Sequence, residues 1–253
     1  MGPNPVLRKL GFSDRDRLVI LHADDIGMCE ATVSAFADLT DFGLLSSAAV
    51  MAPCPWFLAA AACCRERTVD VGVHLTLTSE WAAYRWGPLS TRDPASGLLD
   101  SQGYFYRSQA EAQEHTRPET LQVEMQAQYE RVIAEGIRPT HMDTHMGVVG
   151  HPNLIATYLS FCLAHRLPPM VFRMDVASWM QAGLDRATAE MAAAQMEALE
   201  AQGMPMLDHL RMVPLDTPDN RLERIQAMLE DLEPGVTHFI IHPAKDTPEL
   251  RAI

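Results

Sequence analysis

The sequence predicts an α/β protein, a distorted or incomplete (β/α) TIM-like barrel with about seven parallel strands. Short apolar runs alternate with helical patterns along the whole chain. The 253 residues, of which 47% are hydrophobic, suffice for one large core. Ionisable side chains follow most of the apolar runs, as they do at the carboxyl ends of barrel strands. We therefore expect one domain over residues 1–253.

The first half of the chain contains three predicted strands and two predicted helices. The spacing of apolar residues predicts a helix over residues 32–42, for which Gly43 is a natural stop. An alanine-rich stretch predicts a second helix over residues 57–65. Uninterrupted apolar runs predict buried strands over residues 18–23, 44–52 and 69–77.

A second series of elements begins at Thr116. Thr116, Pro118 and Glu119 predict a capped helix start, and Gly136 ends that helix. Further helices are predicted over residues 155–165, 186–202 and 221–232, and further strands over residues 140–145, 170–174, 210–215 and 237–242. Because the chain stops soon after the last strand, we expect the eighth βα unit to be missing.

An inserted aromatic loop is predicted near residues 80–117, where periodicity is lost. A loop of this length in a compact domain is usually functional or mobile. Trp81 and Trp86 lie within it, and aromatic faces are surfaces on which sugar rings stack. A hydrophobic flap over one end of the barrel is an equally good interpretation of the same residues.

Composition and charge exclude several classes of function. The net charge of −13 argues against nucleic-acid partners, which require a basic face. No run approaches the roughly 20 apolar residues of a transmembrane helix, and the N-terminus lacks the apolar core of a signal peptide. The five cysteines include no C-x-x-C pair, which indicates reduced thiols. We expect a cytoplasmic protein; homo-oligomerisation stays open.

Reactive side chains are predicted to meet at one face of the barrel. The carboxyl ends of parallel strands share one face, and active sites are built there. Alternation along the fourth strand also places the two histidines and the aspartate of "HMDTH" on one side. The residues at these strand ends are Asp24, Asp25, His74, His141, Asp143, His145, Arg173, Asp175 and His242.

One carboxylate and two imidazoles are a common ligand set for a catalytic divalent ion. Neighbouring strand residues point to opposite sides, so Asp24 and Asp25 need not share a role, and one of them is free to act as a general base. Taken singly, the aspartate pair also fits a helix cap with a solvated neighbour, and His74 also fits a hydrogen-bonded core histidine.

The motifs resemble those of the YdjC-like (ChbG-type) carbohydrate deacetylases over nearly the whole chain. The matching segments are "LVILHADDIGM", "SSAAVMAP", "VGVHLTLTSEW", "PTHMDTHMG", "FRMD" and "IIHPA", in this order. The resemblance implies a distorted (β/α) barrel and a metal-dependent hydrolase that removes acetyl groups from N-acetylated sugars. This chain differs from many members at His22, often asparagine, and at Gly147, often histidine.

Residue roles are also implied by the resemblance. It makes Asp25, His74 and His145 the ligands of one divalent ion, zinc or magnesium, with Asp24 as general base and His242 as general acid. The residues expected to orient these groups or to bind substrate are Arg173, Asp143, His141, Trp81 and Trp86.

Two other functions stay open from the sequence. One is a different metal-dependent barrel hydrolase, such as a phosphoesterase, although Arg173 is the one obvious cation for a phosphate group. The other is a non-catalytic sugar-binding barrel, against which the presence of all five catalytic positions argues.

Overall fold

The computed structural model describes residues 2–216 and 219–253, and within them six β-strands. The strands are β1 (Arg17–Ile26), β2 (Ser47–Val50), β3 (Asp70–Leu75), β4 (Met142–Thr144), β5 (His209–Met212) and β6 (Gly235–Ile241). They form one sheet in the order β4-β3-β2-β1-β6-β5. The described pairs β1–β2, β2–β3, β3–β4 and β5–β6 are all parallel, which confirms the α/β class.

Ten α-helices lie within the described residues, most of them between successive strands. They are α1 (Pro5–Lys9), α2 (Glu30–Phe42), α3 (Phe57–Arg65), α4 (Gln109–His115), α5 (Pro118–Ala134), α6 (Ile155–His165), α7 (Val176–Gln181), α8 (Arg186–Ala201), α9 (Arg221–Glu230) and α10 (Pro248–Ala252). No helix in the described part of the chain combines the length and the apolar character needed to cross a bilayer.

The prediction of about seven strands in a TIM-like barrel is not confirmed. The predicted strand over residues 170–174 is not formed: it contains one isolated bridge, Phe172–Leu207, and a second bridge, Met142–Pro169, lies just before it. Pro168 and Pro169 lack the backbone N–H that a continuous ladder requires, so this segment cannot form a regular strand at its start. In the observed order β4 and β5 each have one strand neighbour, whereas every strand of a closed barrel has two.

The chain divides into two compact units, and strands β1 and β6 each contribute residues to both. The smaller unit comprises Met1–Leu21 and Met170–Ile240. Within it, Asn4 caps α1 by accepting a hydrogen bond from the Val6 amide, and its Nδ2 donates to the carbonyl of Met206 at 2.9 Å. These bonds hold α1 beside the segment that leads into β5.

The larger unit comprises His22–Pro169 and Ile241–Ile253. Its core contains fully buried apolar side chains from β3, α2, α3 and α5, including Leu75, Phe36, Phe57 and Leu121. Gly43 ends α2 in the left-handed conformation, φ 79°, as the sequence predicts. Every described strand end that contributes to the site discussed below belongs to this unit.

The segment after β3 is more ordered than a simple loop. Residues 80–117 contain α4 and a 3₁₀ turn at Pro94–Ser96. The buried carboxylate of Glu124 accepts hydrogen bonds from the backbone amides of Leu89 and Ser90 and so fixes the segment to α5. The predicted capping box at Thr116 is wrong: Arg117 precedes α5 without a side-chain cap, because Thr116 itself ends α4.

Candidate metal centre

Asp24 and Asp25 lie side by side near the end of β1, where the strand is irregular. The register between β1 and β2 shifts between Ala23 and Ile26, and Asp25 adopts a left-handed conformation with φ 62°. This conformation costs a non-glycine residue about 1–3 kcal/mol and is concentrated at functional sites. It also turns both carboxylates towards His74, although strand alternation predicts opposite directions: Asp25 Oδ1 lies 3.2 Å from His74 Nε2, and Asp24 Oδ1 lies 3.9 Å from His74 Nδ1.

Asp25, His74 and His145 converge on one small space. Asp25 Oδ1 lies 3.2 Å from His74 Nε2 and 3.0 Å from His145 Nδ1. One potential ligand atom from each residue lies within 4.8 Å of the others, and all three side chains are buried. Asp25 Oδ1 is at ion-pair distance from both rings but forms no hydrogen bond of regular geometry among the described residues. A buried carboxylate oxygen facing two ring nitrogens in this way fits a divalent cation.

The second nitrogen of each of these histidines contacts another carboxylate. His74 Nδ1 lies 2.8 Å from Asp143 Oδ1, and His145 Nε2 lies 2.9 Å from Glu80 Oε1. In metal sites, such carboxylate–histidine pairs fix the ring and its tautomer, so that the opposite nitrogen presents its lone pair to the ion. Both imidazoles are therefore oriented towards Asp25.

His22 joins Asp143 to Asp24 behind this group. Its Nε2 lies 2.8 Å from Asp143 Oδ2 and 3.0 Å from Asp24 Oδ1, and its Nδ1 lies 2.6 Å from the hydroxyl of Ser47. The side chain is fully buried. A buried imidazole between two carboxylates limits the rotation of both, so the position of Asp24 depends on His22.

The carboxylates and imidazoles of this cluster shift the pKa values of one another. Burial lowers the pKa of His145, but Asp25 and Glu80 outweigh it and raise that pKa to about 9. Burial likewise opposes protonation of His22, whereas Asp143 and Asp24 raise its pKa to about 9. The opposite holds for Asp25: burial raises its pKa, and the two imidazoles, His145 foremost, hold it well below its ordinary value.

His242, which follows β6, faces Asp24. Its Nε2 lies 3.8 Å from Asp24 Oδ2, and its Nδ1 is buried without a hydrogen-bond partner among the described residues. The side chain is 17% exposed, so it is less enclosed than the histidines near Asp25. An imidazole in this position can exchange a proton with a bound molecule.

Two further groups of three residues also bring potential ligand atoms within 4.8 Å in the described residues. They are His22, His141 and Asp143, and Asp24, His74 and Asp143. In both, Asp143 already forms hydrogen bonds with His22 and His74. The group of Asp25, His74 and His145 is the better cation site because it does not use Asp143, whose two oxygens those bonds already occupy.

The other predicted site residues have defined surroundings. Trp86 is buried and donates from Nε1 to the carbonyl of Thr78, while the half-buried Trp81 packs against it with ring centroids 5.5 Å apart. The ring centroids of His141 and His22 lie 5.2 Å apart. The roles of these side chains in substrate binding stay predictions.

Arg173 belongs to the smaller unit, where two carboxylates bind it. Its Nε donates to Glu200 at 2.6 Å and its Nη1 donates to Asp208 at 2.9 Å. Asp175 caps α7 by accepting a hydrogen bond from the amide of Ser178. The predicted orienting role of Arg173 is untested by these contacts and stays a prediction.

Comparison with known proteins decides the family. The profile of the family described as YdjC-like protein matches residues 18–253. The chain belongs to the YdjC-like family. A carbohydrate deacetylase of Thermus thermophilus is 33% identical over 252 residues, which cover 98% of this chain and 85% of that protein. A chitooligosaccharide deacetylase of Yersinia enterocolitica is 28% identical over 163 residues, which cover 63% of this chain and 61% of that protein.

A solved structure shares the fold of this YdjC-like chain. The Enterococcus faecalis V583 protein matches with a TM-score of 0.71 and 24% identity, over 94% of this chain and 85% of that one. The family resemblance expected from the motifs is thus confirmed.

Sequence reasoning missed two residues of the YdjC-like site, Glu80 and Ser47. Glu80 lies inside the segment "VGVHLTLTSEW" that identified His74, but it comes five positions after the last residue of β3 and has no regular spacing to it. Ser47 lies on β2 directly opposite His22 in the parallel register, a pairing that requires the strand order to be known. Neither contact is visible as a local sequence pattern.

Proposed function

We propose that this chain is a metal-dependent carbohydrate deacetylase that hydrolyses the acetamide of an N-acetylated amino sugar or oligosaccharide. The observation that carries the proposal is the convergence of Asp25, His74 and His145 directly beside Asp24 and His242. The names of the related deacetylases indicate the substrate class.

Asp25, His74 and His145 would hold one divalent ion, either zinc or magnesium. A bound divalent ion supplies Lewis-acid polarisation of a carbonyl and a lower pKa for a water ligand. The two imidazoles offer ring nitrogens that Asp143 and Glu80 orient, and Asp25 offers an oxygen that lacks another partner among the described residues.

Asp24 is placed to act as the general base. Its carboxylate lies 3.9 Å from His74, one of the three proposed ligands, and His22 holds it from behind at 3.0 Å. In the proposed reaction, Asp24 accepts a proton from the water that attacks the acetyl carbonyl carbon. Removing the charge of Asp24 would therefore slow the reaction without removing a metal ligand.

His242 is placed to act as the general acid. It lies 3.8 Å from Asp24 and is partly exposed, so its imidazole can reach the nitrogen of a bound acetamide. As the carbon–nitrogen bond breaks, His242 donates a proton to the departing amine, which is otherwise a poor leaving group. The products are acetate and the free amino sugar.

In the phosphoesterase alternative, Arg173 is the one obvious residue for binding a phosphate group. The guanidinium of Arg173 is engaged by both Glu200 and Asp208. A phosphate would have to compete with two carboxylates for it. The same contacts engage Arg173 in the deacetylase, so the assays below, and not Arg173, distinguish the two functions.

Acetate release from a panel of N-acetylated sugars tests the proposal, with colorimetric phosphatase substrates assayed in parallel. We expect metal-dependent acetate release that Asp25→Ala abolishes together with metal binding. Asp24→Asn should retain the metal and lose about 10²–10⁴-fold in kcat. Asp231→Asn, at an exposed position in the smaller unit, is the matched control and should match the parent.

Two outcomes would contradict the proposal. One is phosphate release without acetate release by the metal-loaded protein. The other is an Asp24→Asn variant that turns over at the parental rate, since this would remove Asp24 from the base role.

A further inference from the structure

Glu80 places a carboxylate against the outer nitrogen of His145. Its Oε1 lies 2.9 Å from His145 Nε2 and also accepts a hydrogen bond from the Thr78 hydroxyl. Its Oε2 is buried and has no hydrogen-bond partner among the described residues. The side chain is 22% exposed overall. Burying an ionised carboxylate with so few partners costs free energy unless its charge is paired with a neighbouring group.

The contact repeats, on the second histidine, the arrangement found at His74. Each ring directs one nitrogen towards Asp25 and the other towards a carboxylate: Asp143 at 2.8 Å for His74, and Glu80 at 2.9 Å for His145. The two rings meet edge to face with centroids 5.3 Å apart. Asp143 comes from β4 and Glu80 from the segment after β3, so separate parts of the chain support the two histidines.

A purely structural role explains this geometry less well. Thr78 already anchors Glu80 locally, two residues away, so the segment does not need His145 to hold the carboxylate. Without Glu80, in contrast, Nε2 of the buried His145 would have no carboxylate to fix its tautomer. The proton could then reside on Nδ1, the nitrogen that faces Asp25.

We propose that Glu80 is a positioning residue that holds the proton of His145 on Nε2 and thereby keeps Nδ1 available to a divalent cation. This inference rests on the proposed ligand role of His145. Glu80 itself touches neither substrate nor reacting atoms in this scheme. Its contribution is to orient His145 and to increase the basicity of the ligating nitrogen.

The test compares Glu80→Ala, Glu80→Gln and the full-length parent in their affinity for Zn²⁺ alone. Competition with a chromophoric chelator gives the affinity without any activity measurement. Loss of an outer carboxylate of this kind lowers metal affinity about 10–100-fold, which we expect for Glu80→Ala. Glu80→Gln keeps an oxygen that accepts the His145 N–H and should recover part of the loss. Glu130→Gln, an exposed glutamate of α5, is the matched control and should bind Zn²⁺ as the parent does.

The outcomes separate this inference from the proposed function. If the parent and both variants bind Zn²⁺ with equal affinity, Glu80 has no positioning role and the ligand proposal is unaffected. A lower melting temperature with unchanged affinity would likewise overturn the inference in favour of a structural role. Failure of the parent to bind any divalent metal would instead overturn the proposed function. Should Glu80→Ala fail to fold, Glu80→Gln alone still decides, because its affinity must lie below that of the parent.

Discussion

Asp143 joins two histidines through its two oxygens, so Asp143→Asn perturbs both contacts while the shape of the side chain is kept. Oδ1 lies 2.8 Å from His74 Nδ1, and Oδ2 lies 2.8 Å from His22 Nε2. The carboxylate is 2% exposed, so water cannot replace a lost partner. An asparagine has one acceptor oxygen and can accept from one of the two rings.

The geometry decides which histidine retains its bond. If the new amide nitrogen faced His74, Nδ1 would have to accept, and the ring proton would move to Nε2, the nitrogen that faces Asp25. A ligand nitrogen must be unprotonated when metal binds, so the amide oxygen should remain at His74 in the metal-loaded protein. The amide nitrogen should then face His22, whose Nε2 still has Asp24 Oδ1 as an acceptor at 3.0 Å. One charge-assisted hydrogen bond is lost, which corresponds to about 1.5–3 kcal/mol in the free energy of unfolding.

Two measurements check this expectation on metal-free and metal-loaded protein. Urea unfolding of the metal-free protein should give the loss of about 1.5–3 kcal/mol for Asp143→Asn and about 3–5 kcal/mol for Asp143→Ala, which leaves both rings unpaired. Chelator competition should give about tenfold weaker metal binding for Asp143→Asn. If Asp143→Asn matches the parent in both measurements, neither histidine depends on Asp143 and the reasoning is refuted.

Two further predictions follow from the described contacts. The pKa of His145 is raised to about 9, and that of His74 also lies well above its ordinary value, so metal binding must release at least the extra proton of His145. Metal affinity should therefore rise at least tenfold per pH unit below pH 9, and calorimetry in buffers of different ionisation enthalpy should detect the released protons. A pH-independent affinity would contradict the assignment. Gly72→Ala would place a Cβ 2.4 Å from the ring of His141 and should lower the free energy of unfolding by about 1–3 kcal/mol. Urea unfolding measures this against the control Gly150→Ala, whose Cβ would meet no atom within 4 Å. Equal stabilities of the two variants would show that the His141 ring moves freely.

The regular elements and the strand-end residues could be predicted because their patterns are local. The helices over residues 57–65 and 155–165 have the predicted bounds, and Asp25, His74 and His145 do lie together. Apolar periodicity and the shared carboxyl edge of parallel strands predicted that the strand-end residues meet, and the family resemblance singled out these three. Asp24 and Asp25 facing the same histidine could not be predicted, because the left-handed conformation of Asp25 has no glycine or turn motif to mark it.

The predicted strand over residues 170–174 shows where an apolar run misleads. Its apolar side chains are typical of a buried strand, but the two prolines before it lack backbone N–H donors, and isolated bridges form instead of a ladder. The contact between Glu80 and His145 joins residues 65 positions apart in the chain. Such contacts depend on the packing of separate segments and leave no spacing rule in the sequence.

Anomalous diffraction from crystals of the zinc-loaded protein tests the central claim most directly. We expect one strong anomalous peak within coordination distance of Asp25, His74 and His145, and its loss in Asp25→Ala. A peak bound instead by His22, His141 and Asp143, or no peak at saturating zinc, would contradict the proposed metal centre.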